Sequence, residues 1–217
     1  MERIGLFGGS FHPIHNGHLH LAYTAMEQLH LQHVIFVPAY CSPFKQKSAY
    51  TVSDAHRLAM CRLAVAGEPA FSVSDYELNR EQVSYTIDTI SHFQEQNPEA
   101  AFVLLMGSDM LLQFDHWYRY QEILQRVTLG VVSRDAADTE RIRQKQLELS
   151  QFGQIQIFCD AVLSVSSTKI RESIKNHKDF SCYLPQKVVQ YIVCHRLYQS
   201  EEMMEGASCD ESGFEVL

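Results

Sequence analysis

Six short apolar runs recur along the chain, and most are apolar at consecutive positions: "RIGLF" at 3 to 7, "VIFVPA" at 34 to 39, "FSVSD" at 71 to 75, "AFVLLMG" at 101 to 107, "VTLGVVS" at 127 to 133, and a short run at 155 to 158. A strand apolar on both faces has to be covered on both. Helix-patterned stretches lie between them. Leu19, Ala22, Ala25, Met26 and Leu29 recur at helical spacing, Ser53 is placed to cap a helix in "TVSDAHRLAMCRLAV", and "SYTIDTISHFQEQ" reads as a third helix. The alternation predicts βαβ units, and hence a doubly wound α/β fold: one domain with a mostly parallel, Rossmann-like sheet and helices on both faces.

The last helix expected is "PQKVVQYIVCHRLY", with Pro185 in its first turn, so the domain is placed at residues 1–199. Residues 200–217 hold six acids and no Lys or Arg, and are expected to form an acidic, flexible C-terminal tail. The whole chain carries −8, but without the tail 18 basic residues face 20 acidic ones. So neutral a body lacks the broad basic surface that binds polynucleotides, and no nucleic-acid partner is expected. The six cysteines are scattered without a C-x-x-C pair, which points to reduced thiols and no zinc site. No signal peptide or membrane span is legible, so the expected location is cytoplasmic, with no membrane partner. A homo-oligomer is compatible with the sequence.

Chemistry concentrates after the first strand, in "GGSFHPIHNGH" at 8 to 18. Ligands of such sheets bind outside the carboxyl ends of the strands. Gly8 and Gly9 let a phosphate approach the backbone, and Ser10 and the helix start near Gly17 add donors. His15 and His18 straddle that start three residues apart, so both imidazoles can face one anion, with the helix dipole aiding. Further along, "VSSTKIR" at 165 to 171 leads three hydroxyls, Ser166, Ser167 and Thr168, into a helix carrying Arg171 one turn in.

The first stretch resembles the H-x-G-H signature of the nucleotidyltransferase superfamily related to class I aminoacyl-tRNA synthetases. The second resembles the I-S-S-T-x-I-R signature of bacterial nicotinate-nucleotide adenylyltransferases. "SYTIDT" and "MGSDMLLQFDHWYRYQEI" are similar to further stretches of that family, and the resemblance runs over roughly residues 1–198. It implies an enzyme that moves the adenylyl group of ATP to nicotinate mononucleotide, giving nicotinate adenine dinucleotide and pyrophosphate for NAD biosynthesis, with Mg²⁺ arriving with ATP. ATP would meet Gly8, Gly9, Ser10, Phe11, His15, His18, Gly107, Asp109, Ser166, Ser167, Thr168 and Arg171. The acceptor would meet Lys45, Thr86, Trp117, Tyr118 and Arg134. An indole face attracts a pyridinium ring, which suits Trp117.

The chain departs from the family pattern in three places: His12 replaces an Asp or Asn, Phe44 stands where a His often precedes the Lys, and Arg134 lacks the Pro-Gly that normally follows it. The acceptor phosphate is already ionised, so no side chain has to remove a proton. The catalytic task is charge and alignment, assigned to His15 and His18 at the α-phosphate, and to Lys45 and Arg171 on the outer phosphates. Two alternatives stand beside this reading: a pantetheine-phosphate adenylyltransferase-like enzyme, and a non-catalytic nucleotide-binding sensor.

Overall fold

The computed structural model describes residues 1–41, 52–133, 139–159 and 165–199. Lys45, Phe44, Arg134 and the acidic tail therefore lie outside the described residues. In chain order the elements are β1 (Arg3–Gly9), α1 (Asn16–Leu29), β2 (His33–Pro38), α2 (Asp54–Val65), β3 (Phe71–Val73), α3 (Tyr76–Arg80), α4 (Thr86–Gln96), β4 (Ala101–Gly107), α5 (Ser108–Leu111), α6 (Tyr120–Arg126), β5 (Thr128–Ser133), α7 (Thr139–Leu149), β6 (Ile155–Cys159), α8 (Ser167–Lys175) and α9 (Gln186–Cys194).

All six strands join one parallel sheet in the order β3-β2-β1-β4-β5-β6. Side chains of successive residues go to opposite faces. On β1, Ile4 and Leu6 enter the core under α4, α6 and α7, while Phe7 enters the core under α1, α2, α8 and α9. On β4 the division repeats, with Phe102, Leu104 and Met106 on the first side and Val103 and Leu105 on the second. This two-sided burial, worth about 1.5–3 kcal/mol for each large side chain, is why the strands read as unbroken apolar runs.

Two local expectations are corrected. Gly8 and Gly9 do not end β1; the ladder continues through them, pairing Gly8 with Val37 and Gly9 with Pro38. Pro185 caps α9 rather than standing in its first turn, and the helix ends at Cys194. Ser53 does cap α2, its hydroxyl accepting from the His56 amide at 3.3 Å.

The order of strands reverses between β1 and β4, and there the sheet opens. Pairing of β1 with β4 ends at Leu6 and Leu104. Yet β1 stays paired with β2 out to Gly9, and β4 with β5 out to Gly107. The two central strands part at their carboxyl ends, the place where this class of sheet takes its ligands.

Candidate active site

A cavity of about 610 Å³ fills the parting. Its floor is Leu6 to Ser10 on one side and Leu104 to Gly107 on the other, and its far wall carries Thr86, Trp117 and Tyr118. The two glycines on the floor do different things. A Cβ on Gly8 would meet nothing within 4 Å, so this strand end is open to a ligand. A Cβ on Gly9 would press the Phe11 ring at 3.0 Å, so Gly9 is required by packing. Phe11, at a φ of 41°, turns the chain and buries its ring against Phe7 and Phe36.

The turn delivers the chain to the N-terminus of α1. His15 is the N-cap residue, extended at φ −148°, and its backbone N–H donates to His18 Nδ1 at 3.2 Å. Because Nδ1 accepts, the proton of the neutral ring sits on Nε2, leaving His18 an N–H donor on the ring's other side. The two imidazoles stack, with centroids 3.7 Å apart at 23°, and the edges of Phe7 and Phe11 hold the His18 ring. The structure thus brings His15 and His18 together as a stacked pair.

The second signature lies directly against the first. Ser167 Oγ donates to the Pro13 carbonyl at 2.8 Å, Arg171 Nη1 to the His12 carbonyl at 2.7 Å, and Arg171 Nη2 to Thr168 Oγ1 at 3.3 Å. Ser166 caps α8 by accepting from the Lys169 amide. The N-termini of α1 and α8 therefore adjoin, and each carries amides with no partner inside its helix. A Cβ on Gly17 would meet Val165 Cγ1 at 2.8 Å, which measures how closely the two segments pack. His12 goes elsewhere. Its ring is buried against Tyr198, 5.1 Å away, on the C-terminal segment.

Gly107 and Asp109 both line the cavity, and the carboxylate of Asp109 occupies the place a Gly107 Cβ would fill. On the far wall, α4 begins at Thr86, and Trp117, which packs on Phe114, lines the cavity. Tyr118 is exposed and meets the ring of Tyr85 at 4.8 Å.

Sequence reading missed Glu77. It lines the cavity, is 8% exposed, and accepts from Thr89 Oγ1 at 2.6 Å. Burial raises its carboxyl above the ordinary range, while bonds from Thr89 and Ser84 and the charges of Arg80 and Arg57 partly oppose this. The folded state thus favours the proton. The stability this gives is full below the unfolded pKa and is lost as pH rises through the higher folded value. Glu77→Gln, neutral throughout, should gain in Tm on wild type between pH 4.5 and pH 8. A Tm difference that stays flat across that range in calorimetry would contradict the burial argument.

Among the described residues no cluster of three or more His, Cys, Asp or Glu side chains has the arrangement of a metal cage. No helix among them is long and apolar enough to cross a membrane.

The fold and this pair of adjoining signatures define a nucleotidyltransferase, and the cytidylyltransferase-like family profile matches residues 6–173. Curated nicotinate-nucleotide adenylyltransferases of Clostridium botulinum and Clostridium tetani are 39% and 37% identical to it, over 198 and 202 residues. These alignments cover 89% and 92% of this chain and 98% and 100% of the relatives. The chain belongs to the nicotinate-nucleotide adenylyltransferase family. Its fold matches that of the Plasmodium falciparum nicotinic acid mononucleotide adenylyltransferase complexed with NaAD, at a TM-score of 0.73 and 19% identity, over 91% of this chain and 98% of that one.

Proposed function

We propose that the protein transfers the adenylyl group of ATP to the phosphate of nicotinate mononucleotide, releasing pyrophosphate. The observation that carries this is the junction of two helix N-termini, with His15, His18 and Arg171 beside them, next to a cavity lined by the start of α4 and by Trp117.

In this reading the triphosphate lies over the amides and hydroxyls of Ser10, Phe11, Ser166, Ser167 and Thr168, with Gly8 and Gly9 beneath it. His18 and His15 donate to the α-phosphate oxygens as the new bond forms, and Arg171 takes charge on the leaving pyrophosphate. Lys45 is assigned to the phosphates on the family resemblance alone, and Arg134 to the acceptor likewise. A divalent ion, which we take to be Mg²⁺, enters as part of the ATP substrate with its own waters. Asp109 receives the ribose hydroxyls of ATP, and Thr86 with the first amides of α4 receives the pyridine carboxylate over Trp117. A reaction between two small dissolved nucleotides needs no membrane, and we assign it to the cytoplasm.

The direct test is to incubate the protein with Mg-ATP and a panel of acceptor phosphates while following pyrophosphate. Dinucleotide from nicotinate mononucleotide is expected. Release only with pantetheine phosphate, or nucleotide binding with no release at all, would overturn the assignment.

The ribose assignment has its own test. Gly107→Ala puts a methyl group where the Asp109 carboxylate sits, and that flexible group can swing away at little cost in stability. The variant should keep its Tm but raise KM for ATP by about tenfold, the scale of one lost charge-assisted bond. An unchanged KM would remove Asp109 from the ATP site.

A further inference from the structure

Arg57, on the inner face of α2, has no exposed surface at all. Its neighbours on that face, Met60, Cys61 and Val65, are the apolar residues a core helix normally carries. Burying a guanidinium costs several kcal/mol unless its charge and donors are met, so packing alone would favour another apolar side chain here. The two Nη atoms of Arg57 reach across three segments. Nη1 donates to the Ser10 carbonyl at 2.7 Å, and Nη2 donates to the Ala39 carbonyl at 2.7 Å and to Asp54 Oδ1 at 2.6 Å.

The two carbonyls matter because of what stands behind them. A trans peptide is planar, and its C=O and the following N–H point in opposite directions. Drawing the Ser10 carbonyl down to Arg57 turns the Phe11 N–H away from the core, on the loop that follows the open strand end at Gly8. Drawing the Ala39 carbonyl down turns the Tyr40 N–H outward, and that N–H donates to Ser84 Oγ at 3.0 Å, on the cavity wall beside Glu77. The Ala39 N–H also donates to the Gly9 carbonyl at 2.9 Å, so the ends of β1 and β2 are locked together around the same guanidinium.

We propose that Arg57 is a positioning residue for adenylyl transfer: its buried fork fixes two peptide planes, aiming the Phe11 amide at the ATP phosphates and the Tyr40 amide at the Ser84 wall of the acceptor pocket. The proposal rests on the functional reading above. Lysine cannot replace the fork, since an ammonium is one point of charge and cannot hold two carbonyls at a fixed angle. The charge also reaches the cavity, where it draws the Glu77 carboxyl back down against burial.

The test compares Arg57→Lys with wild type in binding Mg-ATP without acceptor, and in binding adenosine, by calorimetry. Arg57→Lys should weaken Mg-ATP binding by about tenfold and leave adenosine binding within twofold, because only the phosphate donors are misaimed. A loss that is merely structural would weaken both ligands alike or reduce only the number of competent sites. KM for ATP should rise in parallel in the transfer assay. Should Arg57→Lys fail to fold, Asp54→Asn keeps the guanidinium and both carbonyls while loosening its third anchor, and should show the same split at smaller amplitude. Equal affinities of variant and wild type for Mg-ATP, or equal losses for both ligands, overturn the proposal. If wild type binds Mg-ATP but makes no dinucleotide from nicotinate mononucleotide, the functional reading fails, and the binding split still decides the case of Arg57.

Discussion

Replacing His18 by alanine lowers the turnover number of adenylyl transfer by about a hundredfold or more, while ATP affinity changes by less. Removing one preorganised donor to a developing oxyanion costs roughly 10²–10³ in rate. His18 is preorganised in that sense, because the His15 N–H fixes its tautomer, and the Phe7 and Phe11 edges and the His15 ring fix its plane. Charge on the α-phosphate oxygens grows only as pyrophosphate departs, so the lost contact appears mainly in kcat and only weakly in binding. The substitution also removes the acceptor for the His15 amide, a helix-capping bond worth about 1 kcal/mol. His18→Asn separates the two effects, since a carboxamide oxygen can accept from that amide but the short side chain does not reproduce the Nε2–H donor. Both variants should therefore be slow, with only alanine showing the fall in Tm. Near-normal turnover in either would remove His18 from the chemistry.

The strands were legible because burial on both faces writes a continuous apolar run, and "AFVLLMG" matches β4 residue for residue. The segment from the end of β1 into α1 stood out because its glycines and histidines have few structural reasons to cluster. What the sequence hid is of two kinds. Helices of four to seven residues, such as α5, α3 and α6, are too short for a 3.6-residue period to show. Arg57 and Glu77 were hidden because a charge on a helix reads as solvated until packing shows otherwise. The one available signal for Arg57 is its spacing of three and four from Met60 and Cys61, which puts a cation on the apolar face of α2. The glycine pair was read as lying beyond the first strand: a parallel ladder accepts glycine readily, and only the neighbouring Phe11 ring explains why Gly9 must lack a side chain.

Nicotinate mononucleotide should be preferred over nicotinamide mononucleotide by roughly a hundredfold or more in kcat/KM. The physical reason lies at the start of α4. Asp88 and Thr89 are the first residues of that helix to donate back to Tyr85, which leaves the amides of Thr86 and Ile87 without a partner inside the helix, at a wall the cavity touches. A carboxylate there accepts from these amides and from the Thr86 hydroxyl, with charge on the acceptor strengthening each bond and the helix dipole adding to it. A carboxamide presents its own N–H₂ to the same donors. Each buried donor left facing another costs about 1–3 kcal/mol, so two mismatches suffice for the ratio expected. Glu77 acts in the opposite sense, since its negative form would repel a carboxylate in the same cavity, but burial shifts its carboxyl toward the protonated form. Direct amide contacts should therefore outweigh it. In the proposed site Trp117 would meet the pyridinium ring of both acceptors, so Trp117→Ala should weaken use of both and leave the ratio standing. The deciding measurement is that ratio at saturating Mg-ATP, for wild type and for Trp117→Ala. Equal specificity constants in the wild-type protein, or a preference for the amide, would move the carboxylate away from α4 even with adenylyl transfer itself intact.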